Sequence, residues 1–211
     1  ITNKLNLDIK NSTIDADISN TGTVTIDELS KVGSSFKKIT GAGEIYTTNT
    51  EVINRLRDNY IFVGEHSLVN TAIATAVINH GRLTIENSTI TQAITNYGEI
   101  TIKNSNTTNT FANNGNMTLI KVQLTSSGAS TNYGNLTFTD SYIYGPITNN
   151  GNITIDDDTT FGEKFKLTNN EGSNLFTNND DIKYYLNTYY ETYTFESVNN
   201  FNLNNRKNYG T

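Results

Sequence analysis

Residues 81–98 read GRLTIENSTITQAITNYG, and residues 98–115 read GEITIKNSNTTNTFANNG. The two stretches lie on each other without a gap. The same grammar returns at 134–151 as GNLTFTDSYIYGPITNNG. Gly64, Gly81, Gly98 and Gly115 are 17 residues apart, as are Gly134 and Gly151, while the step from Gly115 to Gly134 is two residues longer. Toward the N-terminus the period continues less regularly through Gly43 and Gly22. The opening ITNKLNLDIKNS lies on ITNYGEITIKNS at 94–105, with Leu5 in place of the glycine. A chain that opens partway round a repeat is expected of a piece of a longer array.

The columns of this repeat have distinct chemistry. Leu83, Ile100, Met117, Leu136 and Ile153 form one apolar column, and Leu68, Ile85, Ile102, Leu119, Phe138 and Ile155 form a second, two residues on. Ser67, Thr84, Thr101, Thr118, Thr137 and Thr154 stand between them. Apolar–Thr–apolar is the period-2 pattern of a strand with one buried face. Two more apolar columns follow: Ile14, Ile73, Ile90, Leu124 and Ile143, then Ile18, Val77, Ile94, Phe111 and Ile147. A unit of 17 residues has no room for a helix pair and cannot bury its own apolar face, so neighbouring units must stack. No Leu-x-x-Leu-x-Leu frame is present. The sequence therefore predicts an all-β chain, a single right-handed parallel β-helix with glycine at the turns, since parallel crossovers are overwhelmingly right-handed.

Asn20, Asn79, Asn96, Asn113, Asn132 and Asn149 each precede the turn glycine by two residues. Asn tolerates left-handed backbone and Gly adopts positive φ freely, so Gly98, Gly115 and Gly151 are expected at positive φ. Stacked Asn side chains are also expected to hydrogen-bond along a ladder. Two regions break the pattern. Residues 44–63 form a longer, more charged coil, in which EVINRLRDN (51–59) reads as a short surface helix or loop. From 162 the glycine period lapses. Residues 1–161 are thus read as coils, and the Tyr- and Asn-rich 162–211 as a C-terminal cap or terminal segment, because an open solenoid end exposes interior and unpaired strand groups.

Composition bounds the chemistry. Asn and Thr make up about a third of the 211 residues, and the chain has one Pro and no Cys. Lack of Cys excludes a disulfide scaffold, thiolate metal sites and a cysteine nucleophile. The net charge of −6 argues against nucleic-acid binding, which needs Lys and Arg to displace counterions. No apolar run approaches the ~20 residues of a membrane-spanning helix. No P-loop, H-E-x-x-H or Gly-x-Ser-x-Gly motif occurs. No cofactor is expected, and the chain is read as a monomer.

The blocks TNYGNLTFTDS, ITNYGEITIKNS and INHGRLTIENS resemble the N-x-G-x-[LI]-T-[IF]-x-[ND]-S repeats of secreted surface adhesins, such as the adhesin-like proteins of methanogenic archaea and autotransporter-type passengers. The resemblance covers roughly residues 1–160. It implies a β-helix stalk displayed at the cell surface or outside the cell, as part of a longer secreted chain. It also implies attachment to glycans or to surface proteins of another cell.

Several residues are candidates for chemistry. Tyr97 and Tyr133 in the turns, with Tyr189, Tyr190 and Tyr193 in the tail, have rings suited to stacking on sugars. The alternative to an adhesin is a carbohydrate-active enzyme, a polysaccharide lyase or glycoside hydrolase, or a phage tailspike-like module. Its candidate pair is Asp140 and Asp157, in one column of consecutive coils and so ~4.8 Å apart at Cα. Paired carboxylates of retaining glycosidases are ~5–5.5 Å apart. That column also holds Asn70, Asn87, Asn104 and Lys121, which fits a turn ladder better. Asp156, Asp157 and Asp158 are weak candidates for Ca²⁺, with no EF-hand frame around them. The Thr column is too interrupted by neighbouring charges, such as Glu86 and Lys103, for an ice-matching lattice. Sequons at Asn11, Asn87, Asn106, Asn116, Asn135 and Asn152 follow from the repeat grammar.

Overall fold

A computed structural model of the protein describes residues 1–188. These residues form a parallel β-solenoid of about ten turns, with strands stacked about 17 residues apart. A regular coil supplies three short strands, such as Arg82–Glu86, Thr89–Ile90 and Ile94–Asn96. Each kind stacks on its own kind, so that from residue 61 onward three parallel sheets wall in one core. The sheets have seven strands from Glu65–Val69 to Asn174–Thr177, six from Ala72–Ile73 to Thr160–Phe161, and eight from Ile61–Phe62 to Leu186–Thr188. The register pairs Leu83 with Ile100, Ile100 with Met117, Met117 with Leu136 and Leu136 with Ile153. The apolar columns of the sequence are therefore columns of the core, and Leu83, Ile85, Ile90 and Ile94 are all buried.

The corner asparagines are buried at the ends of extended strands. Asn96 Nδ2 donates to Asn113 Oδ1 at 2.8 Å, to the Gly98 carbonyl at 3.0 Å and to the Asn116 carbonyl at 2.9 Å. Asn79, Asn113, Asn132 and Asn149 repeat this pattern, and the ladder reaches Asn169. The expected amide ladder is thus present.

The expected positive φ at the turn glycines is not. Gly98, Gly115 and Gly151 lie outside that region, and the described glycines with positive φ are Gly41, Gly64 and Gly172. What excludes a side chain at Gly98 is the previous coil: a Cβ there would stand 2.1 Å from the Gly81 carbonyl oxygen. The left-handed corner lies elsewhere, at Asn70, Asn87, Asn104, Lys121 and Asp140, with φ between 47° and 54°. Asn and Asp tolerate this conformation better than other side chains do. The serine that follows builds a second ladder. Ser88 Oγ accepts from the Thr71 N–H at 3.0 Å and donates to the Glu86 carbonyl at 2.7 Å, and Ser105 Oγ accepts from the Ser88 N–H at 3.0 Å. The Asn-Ser pair of the repeat therefore encodes one left-handed corner and one buried hydroxyl.

The stretch 51–59 does form a helix, α1 (Thr50–Asp58). Asn49 caps it by accepting from the Val52 N–H at 3.2 Å, and the helix buries Val52 and Leu56. A helix with its side chains is ~10–12 Å thick against a strand spacing of ~4.8 Å, so sheets cannot stay paired past it on every face. Strands Asn6–Ile9, Thr23–Ile26 and Glu44–Thr47 pair only with one another, and Glu65–Val69 begins a new sheet. The core divides at the same place, into clusters running from Ile14 to Ile61 and from Phe62 to Ile182.

This junction occurs twice. Stacking continues beyond residue 161, through Leu167–Asn169 and Asn174–Thr177, to a 3-10 helix at Asp180–Tyr184. Asp27 accepts from the Asn11 N–H and the Ser30 hydroxyl, and Asp156 accepts from the Asp140 N–H and the Thr159 hydroxyl. Phe36 and Phe165 are both buried. Asn49 Nδ2 donates to the Ser30 carbonyl at 2.6 Å, and Asn179 Nδ2 to the Thr159 carbonyl at 2.7 Å. Residues 23–62 and 152–188 are thus two copies of one unit, a wide-cornered coil followed by a helix-bearing coil.

Two expectations follow. Gly98→Ala meets backbone despite an ordinary φ and is expected to cost ~1–3 kcal/mol or more, whereas Asn87→Gly, at a left-handed corner, is expected to stay within ~1 kcal/mol of the parent. Urea melts check both, and a neutral Gly98→Ala would refute the close-approach account. Ile102→Ala should cost ~2–5 kcal/mol. By hydrogen exchange its loss of protection should concentrate in residues 64–188 and spare 18–47, because the two cores open as separate units. Uniform loss along the chain would contradict that division.

Candidate functional site

The widest wall is the outer face of the seven-stranded sheet. Thr84, Thr101, Thr118 and Thr137 run up its middle, half-buried. Beside them Arg82 and Glu99 form an ion pair at 3.1 Å, with side chains 63% and 51% exposed. Such solvated pairs contribute little stability. The same column continues as Asn116, Asn135, Asn152 and Asn174, the last three each donating to the amide before it at 2.8 Å. The polar side chains of this edge column are thus bonded to one another.

The aromatic candidates are dispersed. Tyr97 is half-buried and stacks on His80, with ring centroids 5.0 Å apart and planes 20° from parallel. Burial raises the Tyr97 phenol above its ordinary pKa. Burial also pushes His80 down to about 4, and its Nε2 is enclosed without a hydrogen-bond partner among the described residues. Tyr133 is exposed, in the same column two coils on, with Asn114 between it and Tyr97. The structure therefore does not bring Tyr97 and Tyr133 into contact. Tyr189, Tyr190 and Tyr193 lie outside the described residues.

The carboxylates have separate duties. Asp140 sits at a left-handed corner with its side chain 3.8 Å from Lys121 Nζ. Asp156 accepts from the Asp140 and Thr159 N–H groups and from the Thr159 hydroxyl. Asp157 and Asp158 are exposed in the wide corner that follows. Among the described residues no cluster of three His, Cys, Asp or Glu side chains is placed to hold a metal ion. No helix among them is long and apolar enough to cross a membrane.

One concave feature runs along the left-handed corners. It is an open groove of about 460 Å³ lined by Asn87, Ser88, Thr89, Asn104, Ser105, Asn106, Lys121 and Gln123. The buried serines form its floor, and the other lining residues are exposed. Sequence reading placed Asn87, Asn104 and Lys121 in one column but assigned them only a turn. The missed signal was the exposed residue two positions on, Thr89, Asn106 and Gln123, which pairs in register to form the facing bank. Comparison of the chain with protein-family models, curated proteins and solved structures finds no match.

His80, at the Asn-x-Gly corner against Tyr97, gives the fold a pH dependence. The unfolded chain binds the proton at about 6.5 and the folded one at about 4. Between those values the unfolded state holds more protons, so stability falls as pH drops from about 6.5 to about 4. At 1.36 kcal/mol per pKa unit the full loss is on the order of 3 kcal/mol. Urea midpoints at pH 7 and pH 4.5 should show it. His80→Tyr, which restores the ring found at 97 and 133, should remove this component of the slope.

Proposed function

We propose that the chain is a non-enzymatic segment of a cell-surface adhesin or stalk, displayed outside the cell as part of a longer secreted protein. Its partners on this reading are glycans or surface proteins of another cell. The observation that carries the reading is the sameness of the coils from Gly64 to Gly151. Buried amides and hydroxyls are satisfied coil by coil, and the outer walls repeat the same polar groups. Such a stack makes a stiff, quasi-one-dimensional element suited to spanning distance. Its acidic charge and polar walls suit a solvated exterior.

A carbohydrate-active enzyme is the second reading, and one observation favours it: the Lys121–Asp140 pair stands at the end of a polar groove. Against it, both side chains are more than half exposed. Asp156 is engaged by backbone and hydroxyl donors, and the expected single column of Asp140 and Asp157 is broken, because between the rungs Phe138–Ile155 and Tyr142–Thr160 three residues face four. A glycosidase needs a second free carboxylate across the scissile bond.

The purified protein, displayed on beads, should retain intact cells or array glycans and leave the chain lengths of pectin, alginate and chondroitin unchanged. Turnover that disappears in Asp140→Asn would overturn the adhesin reading in favour of the enzyme. A failure to retain any cell or glycan would leave attachment without support.

A further inference from the structure

We propose that the groove over Asn87, Asn104 and Lys121 is a binding site for a neutral glycan strand laid along the solenoid axis, one sugar to a coil. The inference rests on the attachment reading above and gives it a location on the molecule.

The first support is a contrast between columns of the same residue. Asn96 and Asn113 are buried and bonded in the inner ladder, and Asn135 and Asn152 are bonded to their neighbours on the outer wall. In the groove the side-chain amides of Asn87, Asn104, Asn106 and Gln123 have no hydrogen-bond partner among the described residues. Each offers two donors and an acceptor to a ligand.

The second support is preorganisation. Asn87 and Asn104 project from left-handed corners whose backbone is fixed by the next coil, through the Asn87 N–H to the Lys103 carbonyl at 3.1 Å and the Asn104 N–H to the Ile120 carbonyl at 3.0 Å. The floor is the buried serine ladder. A rigid backbone under the amides lowers the ordering cost of binding.

The third support is charge. Lys121, the one cation of the lining, already faces Asp140 at 3.8 Å, so a polyanion gains no unpaired positive charge there. The lining offers no apolar side chain to a hydrophobic ligand. A neutral chain of hydroxyl groups matches what remains, paired donors and acceptors without net charge. Rungs repeat every ~4.8 Å along the axis, a step comparable with one sugar of an extended β-linked chain.

Titration calorimetry with cellohexaose, chitohexaose and hexagalacturonate tests the site. The parent protein should bind at least one of the two neutral hexamers and bind hexagalacturonate more weakly. The variant carrying Asn104→Gly, Asn106→Ala and Gln123→Ala should melt like the parent, because these side chains make no internal hydrogen bond, and lose about tenfold or more in affinity. Asn135→Ala, on the outer ladder, should bind as the parent does. Equal binding by parent and triple variant would overturn the groove as the site. So would failure of both neutral hexamers, or a preference for hexagalacturonate. Cell retention by the triple variant at the parent's level would also refute the groove, yet leave attachment by another surface intact.

Discussion

The distance between one coil's backbone and the next governs this molecule. Parallel strands stack at ~4.8 Å, and at that spacing a corner has room for an amide hydrogen bond but none for a Cβ over the turn. Asn96 meets Asn113 at 2.8 Å and reaches the Gly98 carbonyl within its own coil. A side chain at Gly98 would overlap the Gly81 carbonyl. The Asn-x-Gly signature is therefore one constraint written twice, a donor that must be present and a methyl that must be absent. The constraint also explains where the period is allowed to vary. The two extra residues between Gly115 and Gly134 fall in the corner at 125–129, between strands Gln123–Leu124 and Ser130–Asn132. The ladder passes them undisturbed, with Asn113 donating to Asn132 at 2.7 Å.

A corner that swells by two residues is tolerated; a helix is not. At both helix-bearing coils the ladder position holds something other than Asn, Phe62 opposite Asn79 and Thr188 opposite Asn169. At the first, the seven- and six-stranded sheets begin anew. The same local pieces precede each helix: an aspartate that binds the left-handed corner below, a buried phenylalanine, and an asparagine that caps the helix while reaching back to the coil beneath. The Ser30 hydroxyl and neighbouring N–H groups hold the Asp27 carboxyl below the usual carboxylate range. Regular coils thus propagate one register, and the helix-bearing coil ends it.

The architecture was legible because burial has a period. Leu83, Ile85, Ile90 and Ile94 recur at fixed offsets, and fixed offsets under a period-2 alternation leave few folds. The charged stretch at 51–59 was legible as a break in the pattern, a short helix or a loop, and the structure decides for the helix. The backbone conformation of the corners was not. Asn-x-Gly and Asn-Ser are both turn-like pairs, and propensity alone favours positive φ at either. Only the approach of the neighbouring coil shows that Gly98 is required for space and Asn104 for conformation. The duplicated junction leaves a faint trace in the sequence: Thr25-Ile26-Asp27, Gly33 and Phe36 recur as Thr154-Ile155-Asp156, Gly162 and Phe165, while Leu29 answers to Asp158 and Ser35 to Lys164. The matching hydrogen bonds of Asp27 and Asp156 show that the recurrence is structural.

The same limit applies to the candidate site. Asparagine occupies at least three columns of the repeat, and the sequence gives no sign that they differ. In the buried column the amide is structural, since an unsatisfied donor there would cost more than the bond itself contributes. On the outer wall it is bonded to its neighbours and offers little to a ligand. Along the left-handed corners the backbone conformation already accounts for the choice of Asn, and the side chain is left over. The residue that the fold needs for its φ angle is thus the one whose amide is free. A solenoid that must repeat its corner at every coil acquires in this way a row of polar groups at one fixed spacing, Asn70, Asn87 and Asn104 followed by Lys121 and Asp140. Recognition of a periodic ligand needs just such a row.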